Sequence, residues 1–171
     1  MPPMYSSDVR QLSTASPVHR PQDPLPHLPS GRPGPVLISS VASDSHTWNL
    51  VFLQLLIEEL GHEVVNLGPC VPDDLLVAEC RDRRPGLVVV STVNGHGYQD
   101  GLRVIRELRA CAELDGVPVV IGGKLGVAGP GESRQAAELV WAGFDAVFPD
   151  DAEAVSSFAR YLRALPQRVA S

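Results

Sequence analysis

Residues 36–67, VLISSVASDSHTWNLVFLQLLIEELGHEVVNL, decide the fold. Val36-Leu37-Ile38-Ser39-Ser40 is a short aliphatic run that follows Pro35 and reads as a strand. A polar loop comes next, and then Leu53, Leu56, Ile57 and Leu60 fall on one face of a helix, with Gly61 placed to end it. Val64-Val65-Asn66-Leu67 is the second strand. Strand, crossover helix and strand make a βαβ unit, whose right-handed connection forces the two strands to run parallel.

The same alternation continues outward. Apolar runs at 36–40, 63–67, 87–91, 117–121 and 145–148 are bounded by Gly, Pro or polar residues, and are too uniformly apolar to have a solvated face. Helical periodicity fills 49–60, 72–84, 99–114, 132–141 and 152–165. The expected architecture is α/β: a doubly wound, five-stranded parallel sheet of the flavodoxin-like, Rossmann-like kind. Upstream, residues 1–35 include Pro21, Pro24, Pro26, Pro29, Pro33 and Pro35 and few large apolar side chains. Such a segment cannot offset the entropy of its own ordering, so a disordered or loosely attached tail is expected there. The domain is expected over 36–165, with 166–171 as a C-terminal tail, and no internal repeat is evident.

Composition narrows the function classes. At 171 residues and 44% hydrophobic content the chain can bury one substantial core. A net charge of −6 without a long basic run disfavours nucleic acid and anionic membrane surfaces as partners. Cys70, Cys80 and Cys111 are odd in number and lack C-x-x-C spacing, so neither a disulfide framework nor a zinc site is expected. Three thiols fit a reducing cytosol, and with no apolar leader or bilayer-length stretch the protein is expected to be soluble and cytoplasmic.

Ligands of such sheets bind at the carboxyl ends of the strands, here the loops at 41–48, 68–71, 92–98 and 122–131. The first loop lacks the glycines of a dinucleotide fingerprint, and Ser91 stands where a phosphate-accepting receiver domain needs a carboxylate. Gly95-His96-Gly97 could cradle a phosphate, but a lone G-x-G more often marks a tight turn. What remains is Asp44-Ser45-His46. A metal-binding histidine usually gives its second ring N–H to a carboxylate, and Asp44 is placed to accept it. Alternatively Asp44 caps the following helix and His46 is an ordinary surface residue.

Asp44-Ser45-His46-Thr47-Trp48-Asn49, then Ser91-Thr92-Val93, then Gly122-Gly123 resemble the D-x-H-x-x-G, S-x-L and G-G elements of the cobalamin-binding domains, in order and at the family's separations. From about residue 36 to 165 the chain is similar to the small subunits of glutamate mutase, also called methylaspartate mutase. The resemblance implies adenosylcobalamin as cofactor, with His46 as the lower axial ligand to cobalt and Asp44 holding its ring. It implies that Ser91 contacts the displaced nucleotide tail, that Gly122 and Gly123 leave room for it, and that Ser43 adds a polar contact. No catalytic residue is implied in this chain: a large barrel subunit binds the amino acid, two copies of each subunit form a heterotetramer, and a radical rearrangement converts L-glutamate to 3-methylaspartate. Two positions depart from the pattern. Val93 replaces the leucine by a slightly smaller side chain. Asn49 replaces the glycine, where it is expected to obstruct the tail unless it caps the helix or bonds to the tail instead. The rival readings are a corrinoid carrier for methyl transfer and a cobalamin-sensing or interaction module.

Overall fold

The computed structural model describes residues 33–126 and 132–166. The expected N-terminal tail over 1–32, residues 167–171 and the part of the fourth ligand-end loop at 127–131 lie outside them. The chain order is β1 (Val36–Ser40), α1 (Trp48–Glu59), β2 (Val64–Asn66), α2 (Asp73–Arg83), β3 (Leu87–Thr92), α3 (Gly97–Arg109), a 3-10 turn (Ala112–Leu114), β4 (Val119–Gly123), α4 (Glu132–Ala142), β5 (Ala146–Pro149) and α5 (Ala154–Ala164). All strand pairs are parallel, in the order β2-β1-β3-β4-β5. This is the doubly wound, flavodoxin-like α/β fold.

Every residue of β1 and β3 is buried, which is why those segments read as unbroken apolar runs. Alternate side chains supply two cores. Leu37, Val88, Val90, Val119 and Ile121 pack with Leu76 of α2, Val104, Ile105 and Leu108 of α3 and Leu139 of α4. Val36, Ile38, Leu87, Val89 and Val120 pack on the other face with Ile57 of α1 and Phe158, Tyr161 and Leu162 of α5. At roughly 1.5–3 kcal/mol for each large aliphatic side chain, these two layers are what holds the sheet against its chain entropy.

The helix ends follow from local chemistry. Gly61, at φ +87°, follows α1; its N–H donates to Glu58 O at 3.0 Å and the His62 N–H donates to Ile57 O at 3.2 Å, a Schellman closure. The periodicity over 99–114 predicts one helix, but α3 stops at Arg109. Cys111 turns extended, at φ −94° and ψ 110°, and Leu114 reaches the core from the 3-10 turn instead. Among the described residues no helix is long and apolar enough to cross a membrane, and the three cysteines are unpaired.

Because β2 and β3 flank β1 on opposite sides while α1 and α3 leave to opposite faces, the chain opens a crevice at the carboxyl ends of β1 and β3. Registration places Ser40, Ser91 and Gly122 side by side across three strands. The loops that follow them are therefore neighbours.

Candidate functional site

Asp44 is the anchor of the crevice. Its residue is fully buried, and its two carboxylate oxygens accept four hydrogen bonds. Oδ1 receives the His46 backbone N–H at 3.0 Å and the His46 Nδ1–H at 2.7 Å. Oδ2 receives Thr92 Oγ1–H at 2.9 Å and the Val93 N–H at 2.7 Å. Burial alone would raise the carboxyl pKa, but those donors override it and hold it at about 2. The backbone is pinned too: Asp44 O accepts from Cys70 N–H at 2.8 Å and Ser40 Oγ–H at 3.2 Å. The residue before α1 is Thr47, with no side-chain cap, so the helix-capping reading of Asp44 does not hold.

With Asp44 ionised, its bond to Nδ1 sets the proton on that ring nitrogen and leaves the Nε2 lone pair free. The His46 side chain is 49% exposed, so Nε2 can be reached from outside. Among the described residues no group of three or more His, Cys, Asp or Glu could hold a metal ion together. A metal bound at His46 fits here only if it arrives with its other ligands already in place.

A second network braces the same loop from α3. Ser43 Oγ–H donates to Asp100, which is itself buried and paired with Arg103 at 2.6 Å, and Arg103 reaches Asp73 of α2 at 2.5 Å. Asn94 Nδ2 donates to Ser43 O at 3.0 Å and Ser43 Oγ at 2.8 Å. Ser43 is thus spent on bracing the loop as well as being near the crevice. Thr92, Asn94 and Asp100 were missed by sequence reasoning. The available signal was that Thr92 and Asn94 flank Val93, at the end of the strand beside β1.

A groove of about 170 Å³ runs between α1 and α5 over the ends of β3, β4 and β5. Phe52, Leu56, Val89, Val93, Phe148 and Phe158 make it apolar, and Asn49, Ser91, Gly122 and Gly123 are in its wall. The structure therefore brings Asn49, Ser91, Val93 and the glycine pair to one cavity. Trp48, Val51, Phe52 and Leu55 expose a further apolar stripe on α1, and Trp48 and Phe52 belong to the groove as well.

The glycines are required by the sheet itself. A Cβ on Gly122 would meet Phe148 O at 3.0 Å. On Gly123, at φ +97°, it would meet Thr92 O at 2.1 Å. Gly97 likewise lets α3 close on β3, where a Cβ would lie 2.3 Å from Thr92 Cγ2, so the G-H-G segment serves a tight turn. Gly123→Ala is expected to cost about 3 kcal/mol, combining positive-φ strain with a backbone clash. Gly116→Ala, at φ +75° with nothing within 4 Å, should lose only the conformational part, about 1 kcal/mol. Urea unfolding of the two variants checks the difference, and equal losses would show that the Thr92 contact relaxes freely.

Residues 34–159 match the family described as B12 binding domain. The chain is 33% identical over 121 residues to glutamate mutase sigma subunit 1 of Haloarcula marismortui, covering 71% of this chain and 78% of that one. It is 30% identical over 114 residues to the glutamate mutase sigma subunit of Carboxydothermus hydrogenoformans, covering 67% of this chain and 82% of that one. Among solved structures it resembles a cobalamin-binding protein from Desulfitobacterium hafniense, with TM-score 0.62 and 20% identity over 78% of this chain and 59% of that one, a likeness of fold.

Proposed function

The chain belongs to the B12-binding domain family, and from that premise we propose that it is the cobalamin-carrying small subunit of an adenosylcobalamin-dependent carbon-skeleton mutase, glutamate mutase, acting with a separate large catalytic subunit. The observation that carries this reading is the Asp44–His46 pair, whose half-exposed ring is held through Nδ1 in the loop that leads into α1, the helix that walls the apolar groove. His46 would hold the cobalt through Nε2, and Asp44 would orient its ring through Nδ1. Asn49, Ser91, Val93, Gly122 and Gly123 would border the nucleotide tail in the groove, with Ser43 holding the loop. When bound, the cofactor would supply the radical chemistry. This chain's own contribution is positional: it fixes the imidazole proton on Nδ1, aims Nε2, and gives the tail an apolar slot.

Among the described residues the groove offers no cationic side chain to the carboxylates of an amino-acid substrate. Its one charged lining residue among the described residues is Asp150, of the same sign as the two carboxylates of L-glutamate. Arg81 and Arg83 pair on the surface with Glu113 and Glu79, away from the crevice. Binding and rearrangement of the substrate would fall to a large barrel subunit, and the exposed apolar stripe on α1 suits a partner surface beside the groove. The assembly proposed is a heterotetramer of two small and two large chains.

The purified chain is expected to give no turnover of L-glutamate with adenosylcobalamin. Mixed with the large subunit it should yield threo-3-methylaspartate, with a mass of the complex matching two copies of each chain. Turnover by the isolated chain would refute the division of labour. Cobalamin binding without any association with a large mutase subunit would favour a carrier or sensor instead.

A further inference from the structure

The backbone of Asp44 is gripped from two loops, and one side chain on α3 reaches the supports of both. In its own loop Ser43 makes three bonds: its Oγ–H donates to Asp100 Oδ2, while its carbonyl and its Oγ accept from Asn94 Nδ2 at 3.0 and 2.8 Å. From the loop after β2 the Cys70 N–H donates to Asp44 O at 2.8 Å, and buried Val71 and Pro72 lead from there straight into α2 at Asp73. Arg103 joins the two supports. Its Nη1 donates to Asp100 Oδ1 at 2.6 Å, and its Nε and Nη2 donate to the two carboxylate oxygens of Asp73 at 2.5 and 3.3 Å. A guanidinium holds its donors in one rigid plane, so a fork spread over two carboxylates sets the spacing of the helices that carry them.

Resting on the cobalamin reading above, we propose that Asp100 and Arg103 are positioning residues for the cobalt ligand: through Ser43 and Asp73 they fix the peptide of Asp44 from both loops, and so the aim of His46. Neither residue lines the groove, and His46 takes its hydrogen bonds from Asp44, so both act at a distance. Asp100 is 7% exposed and Arg103 half-exposed. Holding a carboxylate at that depth is a poor way to gain stability, since a buried ion pair costs about as much in desolvation as it returns, and a half-exposed one adds little. What such a network gives is direction. A ligand must be held to within about 0.5 Å of its working geometry, and a ring two residues from Ser43 moves with any shift of that peptide.

The test is the cob(II)alamin complex of the full chain, with protein in excess, read by its lower-axial nitrogen hyperfine pattern with and without nitrogen-15 histidine. In wild type the label should change the pattern of all the bound cofactor. In Asp100→Ala a share of the bound cofactor should lose the histidine, with binding weakened about tenfold, the low end of what an orienting partner of a metal ligand contributes. Arg103→Gln, at a half-exposed site on which folding depends little, should show the same change to a smaller extent, and it decides the matter if thermal melts show Asp100→Ala to be unfolded. Complete histidine coordination in the folded variants, whether or not affinity falls, would mean that the network supports the fold without aiming His46, and would overturn the inference alone. Cobalamin left unbound by the wild-type chain would overturn the cobalamin reading, and a label-insensitive wild-type pattern the assignment of its ligand; this inference falls with either.

Discussion

Asp44→Ala is expected to lower the stability of the domain by about 3 kcal/mol, which for a chain of this size is a fall of about 10 °C in Tm. The carboxylate is wholly buried and is the acceptor for His46 N–H, His46 Nδ1–H, Thr92 Oγ1–H and Val93 N–H. Removing it strands donors on two adjacent loops, and a buried donor without a partner costs more than the bond itself was worth. The pKa of about 2 says the same thing thermodynamically: the folded state favours the ionised form. Asp44→Asn keeps the shape but turns an amide N–H₂ towards a donor, so it should recover only part of the loss. Thermal and urea unfolding of the three proteins decide it. A loss below about 1 kcal/mol in Asp44→Ala would mean that water replaces the carboxylate and that the loops do not depend on it.

His46→Gly should weaken cobalamin binding by at least the ~10–100-fold that loss of a metal ligand's orienting partner typically costs, with little change in stability. The half-exposed ring contributes one bond, to Asp44, and Asp44 keeps its contacts to Thr92 and Val93. His62→Gly is the matched control: its Nε2 faces Leu162 O at 3.2 Å, between the end of α1 and α5, so binding should be unaffected. The spectroscopic form of the prediction is stricter. In the cob(II)alamin complex, nitrogen-15 labelling of histidine should change the lower-axial nitrogen hyperfine pattern of wild type. A pattern insensitive to the label would mean that the cofactor's own base stays on cobalt, and the ligand assignment to His46 would fail.

The sequence by itself determined the alternation of strands and helices, because burial on both faces of a parallel sheet needs uninterrupted aliphatic runs such as Leu87-Val88-Val89-Val90, and no solvated strand is written that way. It also placed Asp44 and His46 two residues apart in one ligand-end loop, but their hydrogen bond, against the helix-capping alternative, depends on the tertiary contacts that hold the carboxylate at Thr92 and Val93. The close of α3 at Arg109 was not legible: Leu114 keeps the helical spacing, and only the place where the chain must turn towards β4 breaks it. The remainder of the site is tertiary. Thr92 and Val93 reach Asp44 across 48 and 49 residues, and Asn49 reaches Ser91 across 42. The motif positions could be recognised one at a time, but nothing in them says that Asn49 and Ser91 would satisfy one bond and leave Oδ1 open. That was decided when β1 and β3 became neighbours in the sheet, because strand order, unlike periodicity, is settled by how two cores pack and not by the spacing of residues along the chain.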